Sequence, residues 1–244
     1  MTPRVAVVTG GTRGLGAALS SALVARHVSV VAAYRSDTAS ATALRGRCGD
    51  RLYLSQVDVT QPAACRSLIE RVVAEHGRID YLVNCAGAVQ EAKATDLKPE
   101  AWDASVALNL SAAFYLSQAA LVPMKAQQFG RIVNVGSVSA SMGSPFQIDY
   151  AAAKSGLIGL TRSMARAVAR ASVTVNCVIL GGFTTDLLKD LTLTDRSRVE
   201  ANIPLGRFGE PREFAHVVLS LLDDDASYVT GATLTVDGGL SMGD

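Results

Sequence analysis

Short runs rich in valine and isoleucine alternate along this chain with longer segments of helical period, and no other sequence feature constrains the fold as strongly. A strand buried on both faces reads as a near-continuous apolar run, and parallel neighbours need a crossover between them. Seven runs qualify as strands, at 5–9, 28–34, 52–57, 81–84, 131–135, 173–178 and 233–236. Helical spacing fills the gaps at 15–25, 38–47, 62–76, 99–125, 149–169 and 211–222. Right-handed β-α-β units in that order predict an α/β fold: a doubly wound parallel sheet of about seven strands with helices on both faces. At 244 residues one core suffices, so residues 1–244 are expected to form a single domain.

Composition closes off other classes. Apolar residues make up 49% and charged residues 18% of the chain, which excludes a disordered polymer. The formal net charge is +1 with both signs spread along the sequence, so no footprint for nucleic acid or an anionic bilayer stands out. The amino terminus enters a strand pattern without signal-peptide features, and no apolar stretch reads as a membrane span. A soluble cytoplasmic protein is expected. Cys48, Cys65, Cys85 and Cys177 form no C-x-x-C pair, and His27, His76 and His216 lie far apart, so neither a metal site nor a disulfide framework is expected.

One stretch, 181–207, breaks the rhythm with a glycine pair, clustered Thr and Asp, and weak helical periodicity before Pro204. It reads as a mobile lid or, equally, as a surface excursion with a short helix.

The first strand runs into Thr9-Gly10-Gly11-Thr12-Arg13-Gly14-Leu15-Gly16, and a helical pattern follows at once. Glycines there let backbone N–H groups approach a pyrophosphate, and the helix N-terminus adds partial positive charge. The spacing is G-x-x-x-G-x-G and lacks the Gly-Lys-Ser/Thr of a nucleotide triphosphate loop. In this context Gly10, Thr12, Arg13, Gly14, Leu15 and Gly16 point to a dinucleotide on a Rossmann-type domain. The second strand ends in Tyr34-Arg35-Ser36, where NAD-binding proteins carry an acid for the ribose hydroxyls. With Arg35 and Arg13 offering donors to a 2′-phosphate and no carboxylate expected to repel it, NADP is favoured over NAD.

The fifth strand pattern leads to Ser137, and thirteen positions later comes Tyr150-Ala151-Ala152-Ala153-Lys154. Spacing of four on a helix stacks Tyr150 and Lys154 on one face. A free phenol titrates near ~10, and a neighbouring ammonium is expected to pull Tyr150 down towards working pH. Carbonyl reduction needs a proton on oxygen and donors for the developing alkoxide, which Tyr150 and Ser137 can supply. Strand carboxyl ends gather at the ligand crevice, so Ser137 should share a space with the glycine turn.

These residues together resemble the short-chain dehydrogenase/reductase family over essentially the whole chain. Thr9 to Gly16 matches that family's T-G-x-x-x-G-x-G, Asp58-Val59 its adenine-side pair, and Asn84-Cys85-Ala86-Gly87 its N-N-A-G strand end. The resemblance implies a catalytic tetrad of Asn109, Ser137, Tyr150 and Lys154, with Asn109 holding a water that links Lys154 to a proton relay. It also implies cofactor contacts from Asp58, Val59, Asn84, Ala86 and Gly87, from Tyr150 and Lys154, and from the loop carrying Gly181, Gly182, Phe183 and Thr185. Where the family usually has Pro-Gly, this chain has Leu180-Gly181-Gly182, so a more flexible loop is expected. Read without the resemblance, Asn109 is a packing or kink residue in an apolar helix and Asp58 a strand-end cap.

Within the family, Gly130 to Asn134, Tyr150 to Thr161, Pro204 to Pro211 and Val236 to Gly239 resemble 3-oxoacyl-(acyl carrier protein) reductases and polyketide ketoreductases. The implied reaction is NADPH-dependent reduction of a β-ketoacyl thioester, in fatty-acid or polyketide synthesis. An acidic acyl carrier protein is the implied partner, with Lys125, Arg131, Arg166 and Arg170 as candidate contacts around the pocket mouth. Gln127, Gln128 and Ala171 stand where such reductases often carry positive charge. Small residues Ala151, Ala152, Ala153, Gly156 and Gly159 allow close helix packing, and the resemblance implies a homotetramer through this face and the 99–125 helix. The alternatives are an NADP-dependent enzyme of a small alcohol, sugar or steroid, and a non-catalytic NADP-binding sensor or scaffold.

Overall fold

The computed structural model describes residues 3–185 and 193–242. Seven strands form one sheet: β1 (Val5–Thr9), β2 (Ser29–Tyr34), β3 (Leu52–Gln56), β4 (Tyr81–Asn84), β5 (Gly130–Ser137), β6 (Val173–Leu180) and β7 (Thr233–Val236). Every pairing is parallel, in the order β3-β2-β1-β4-β5-β6-β7. The chain therefore winds outward from β1 to β3, returns across β1, and winds the other way from β4. That reversal opens a crevice at the carboxyl ends of β1 and β4, the place where such sheets bind ligands.

Alternation along each strand sorts its side chains between two cores. Val5 and Val7 of β1 face one helical layer, while Ala6 and Val8 face the other. On the first face lie α3 (Pro62–His76), α5 (Ala112–Ala126) and α7 (Ile148–Val168), contributing Leu68, Leu116 and Met164. On the second lie α1 (Gly14–Ala25), α2 (Thr38–Cys48) and α9 (Pro211–Leu222), contributing Leu19, Leu44 and Phe214. Each such fully buried side chain contributes about 1.5–3 kcal/mol.

The sequence reading ends β5 and β6 too early. Ser137 pairs in register with Leu180, and Gly136 with Ile179, so the ladder outlasts the apolar run. Two further helices, α6 (Ser139–Met142) and α8 (Leu193–Ala201), carry no apolar stripe that periodicity could find. α8 falls inside the expected lid; residues 186–192 of that stretch lie outside the described residues. The predicted helix at 99–125 appears as α4 (Pro99–Val106), a π-turn at Ala107–Ser111, and α5. Contrary to the sequence reading, Pro99–Ala126 is long and apolar enough to cross a membrane, with mean hydropathy 1.4 over its most apolar stretch. Its Ala112, Leu116, Ala120 and Met124 pack into the first core, which accounts for that composition.

Candidate active site

The crevice is closed at its base by Thr9. This buried side chain ends β1, and its Oγ1 accepts N–H bonds from Cys85 and Ala86, both at 3.0 Å. The end of β4 is thereby clamped to the glycine turn, a role the sequence reading did not give Thr9. Gly10 and Gly14 adopt φ of +61° and +51°. A Cβ on Gly10 would stand 3.2 Å from the Ala86 Cα, and one on Gly16 would stand 2.1 Å from the Gly10 carbonyl oxygen. Thr12 is buried beneath the turn, and Leu15 packs against the second core. The first turn of α1 carries no acidic residue, so its free N–H groups and positive dipole end face the crevice unopposed. Across the opening, the Thr185 Cγ2 lies 3.8 Å from where a Gly14 Cβ would be. Turn and loop thus face each other.

Arg35 and Ser36 are exposed beyond the end of β2, with Tyr34 half-buried beside them. The expectation of no nearby acid is corrected by Asp37. Its carboxylate accepts from the Ser40 N–H at 3.0 Å, capping α2, and its Oδ2 lies 3.9 Å from Arg13 NH1. Ser40 chiefly, with Arg13, holds the Asp37 carboxyl below the usual range. The exposed pair is weak, so a phosphate dianion can take over the guanidinium. Asp58 turns its carboxylate to Thr60, accepting from the hydroxyl at 2.7 Å and the N–H at 3.0 Å, while Val59 is buried. The side chain of Asp58 therefore caps its own turn.

Ser137 ends β5, and Tyr150 stands in the first turn of α7, its phenol close enough to Ser137 for that hydroxyl to affect its titration. One turn on, Lys154 is 4% exposed, and its Nζ donates to the Val135 carbonyl at 2.8 Å. That ammonium lies 5.5 Å from the centre of the Tyr150 ring. The three side chains named from the sequence converge. Their electrostatics differ from the expectation, because burial pushes the phenol up, outweighing the neighbouring Ser137 hydroxyl that pulls it down. Burial also pushes Lys154 down to about 8. On raising the pH, the ammonium is lost before the phenol titrates, so Tyr150 stays a proton-bearing acid at neutral pH.

Asn109 is buried in the π-turn, a distortion common at functional sites. Its Nδ2 donates to the Ala88 carbonyl at 2.9 Å, and its Oδ1 accepts from the Ala88 N–H at 3.3 Å, fixing the loop after β4 against the helix. A Cβ on Gly87 would stand 2.9 Å from Asn109 Oδ1 and 3.3 Å from Lys154 Nζ, so glycine admits both groups. A small cavity lined by Thr9, Asn84, Ala86, Asn109 and Lys154 lies between them. Asn84 turns its amide inward, donating to Asn134 at 2.8 Å and Ser117 at 3.1 Å.

The loop after β6 is tighter than expected. A Cβ on Gly181 would meet Asp237 at 2.7 Å, and one on Gly182 would meet the Phe208 ring at 2.7 Å, so the glycine pair serves close packing. Phe183 is likewise a core residue, edge-on to Phe214, with its backbone bridged to Gly209. The basic candidates sit elsewhere too. Arg131 is 3% exposed at the start of β5, donating to the carbonyls of Gly130 and Ser172. Lys125, Arg166 and Arg170 lie near the ends of the helices leading into β5 and β6. Arg166 is about 24 Å along α7 from Tyr150 at 1.5 Å per residue. None belongs to the mouth of this chain's own pocket.

A parallel doubly wound sheet, a glycine turn at its switch point and a Ser-Tyr-Lys group beside it define a dinucleotide-dependent oxidoreductase. A family model described as Enoyl-(Acyl carrier protein) reductase matches residues 10–241. The 3-oxoacyl-(acyl carrier protein) reductase of Escherichia coli K12 is 39% identical over 239 residues, 98% of each chain. That of Salmonella typhimurium is 40% identical over 241 residues, again 98% of each. Acetoacetyl-CoA reductase of Shinella zoogloeoides is 37% identical over 237 residues, 97% of this chain and 98% of its own. The chain belongs to the short-chain dehydrogenase/reductase family. The tight glycine turn, in which a Cβ on Gly10, Gly11 or Gly16 would crowd neighbouring backbone, and the α1 N-terminus, with no acid in its first turn, fit the nicotinamide dinucleotide on which that family depends.

Proposed function

We propose that this chain reduces a β-ketoacyl thioester, carried on acyl carrier protein, to the β-hydroxyacyl form with NADPH. The observation that carries the reading is the Ser137–Tyr150–Lys154 convergence, with Tyr150 held as a neutral acid. A nicotinamide dinucleotide in the cradle supplies the hydride. Tyr150 gives its phenolic proton to the ketone oxygen, and the Ser137 hydroxyl donates a hydrogen bond to the charge developing there. The Lys154 ammonium, anchored on Val135, favours the phenolate that remains. Arg13 and Arg35 would hold the 2′-phosphate. The three relatives reported above, named 3-oxoacyl-(acyl carrier protein) reductase or acetoacetyl-CoA reductase, support the substrate class.

The same reading makes the protein cytoplasmic and a homotetramer. Support for assembly comes from Trp102, Phe114 and Val122, large apolar side chains left exposed on α4 and α5. On α7, Gly159 faces open space, whereas Gly156 is already used by Leu110 of the same chain.

Following NADPH absorbance with acetoacetyl thioester, crotonyl thioester and unrelated ketones tests the assignment. Preference for acetoacetyl thioester is expected; equal rates on unrelated ketones overturn the substrate class, and a preference for crotonyl thioester moves the reaction to the C=C bond. Tyr150→Phe should cut turnover by about 10²–10⁴-fold with NADPH binding retained. Unchanged turnover removes Tyr150 as the acid, and no turnover of any ketone by the natural chain leaves the sensor reading.

A further inference from the structure

We propose that Gln147 is a positioning residue for the Ser137 hydroxyl, acting through Ser139 and itself held by Glu91. The inference rests on reading this site as a ketone reductase. Four hydrogen bonds carry it. Ser137 Oγ donates to Ser139 Oγ at 3.3 Å, and the Ser139 N–H returns a bond to Ser137 Oγ at 3.2 Å. Ser139 Oγ donates to Gln147 Oε1 at 3.3 Å, and Gln147 Nε2 donates to Glu91 Oε1 at 3.3 Å. The side-chain links all donate outward from the site towards a carboxylate, so each polarises the next.

The chain ties together three segments distant in sequence: the end of β5 with α6, the turn before α7, and the loop after β4. A backbone bond from Ala92 N to Phe146 O, at 2.9 Å, runs alongside the last link. Gln147 is also the N-cap residue of α7, and its carbonyl accepts from Ala151 N at 2.8 Å. One residue therefore fixes both the start of the helix bearing Tyr150 and Lys154 and the hydroxyl facing them.

An unrestrained serine hydroxyl turns among three staggered wells. Here the Ser139 N–H fixes the oxygen, while the proton rests on Ser139 Oγ, whose own proton is committed to Gln147. When a ketone oxygen enters, the Ser137 proton has one short rotation to make, and its oxygen does not move. Transition-state donors gain their effect from being placed beforehand.

The test uses the full chain and whichever ketone the natural protein reduces fastest. Gln147→Met and Ser139→Ala are each expected to lower kcat about tenfold, the low end for a misplaced donor, with KM for ketone and NADPH within about twofold. Introduced into Ser137→Ala, Gln147→Met should cost nothing further, because the group it positions is gone. Lys93→Ala, in the same loop as Glu91, serves as a control with unchanged turnover. Loss of the same factor in the Ser137→Ala background overturns the proposal in favour of a structural role. So does an unchanged kcat for both single variants, or a rise in KM alone. If Gln147→Met fails to fold, Ser139→Ala and its combination with Ser137→Ala decide by the same criteria. Absence of ketone turnover in the natural chain refutes the site reading itself, seen before any variant is made, and the positioning role falls with it.

Discussion

At the scale of single residues, Lys154 is where the proposed function and stability conflict. Its pKa of about 8 lies below the ordinary 10.5, so between these values the unfolded chain binds more protons than the folded one. Stability attributable to this group therefore rises as the pH climbs from about 8 towards 10.5, and the full penalty of the buried ammonium, about 3 kcal/mol, is present below 8. Lys154→Met is expected to raise the unfolding free energy at pH 7 by up to about 3 kcal/mol while abolishing turnover. The gain should shrink above pH 8, which denaturant titrations at pH 7 and pH 10 measure. For the natural enzyme, kcat/KM for reduction should fall as the pH passes through about 8, where Lys154 discharges. A flat profile to pH 10 argues against a charged Lys154 in the working form. The sequence placed Tyr150 and Lys154 together correctly, because helical spacing is local. It misjudged the direction of the Tyr150 shift, because burial is set by residues distant in sequence, such as Ser137 at the end of β5 and Cys85 after β4.

Among elements, the turn between β1 and α1 shows how little freedom the cradle has. A methyl on Gly16 would lie 2.1 Å from the Gly10 carbonyl oxygen, which is backbone and cannot swing away. Gly16→Ala is therefore expected to weaken NADPH binding at least about tenfold, the loss from a misplaced backbone of roughly 1.4 kcal/mol. Fluorescence titration of the folded variant measures it, and an unchanged Kd refutes the cradle. The helix from Pro99 to Ala126 teaches the opposite lesson. Its apolar pattern gave the element and its ends within a residue, but nothing local announced the π-turn at Asn109. That turn is seen only with Ala88, whose backbone the Asn109 amide grips from another segment. Ser139, Gln147 and Glu91 were invisible for the same reason, since their alignment exists only after three loops meet.

Across the whole molecule, the proposed preference for NADPH would rest on charges from three different segments. Arg13 comes from the glycine turn, Arg35 from the end of β2, and Asp37 from the cap of α2, 3.9 Å from Arg13. Arg13→Ala with Arg35→Ala is expected to raise KM for NADPH about tenfold or more, leaving NADH within about twofold, an effect that high salt shrinks. Equal losses for both cofactors argue against a 2′-phosphate clamp here.

Strand and helix periodicity, the glycine turn and the Tyr-Lys spacing are short-range patterns, so the chain alone determined its α/β class, most element limits and the pairing of Tyr150 with Lys154. Burial, close approach and charge pairing depend on which segments become neighbours. Folding therefore decided the direction in which Tyr150 and Lys154 shift, the tight glycine pair after β6, the inward turn of Asn84 and Phe183, and the placing of Asp37 beside Arg13.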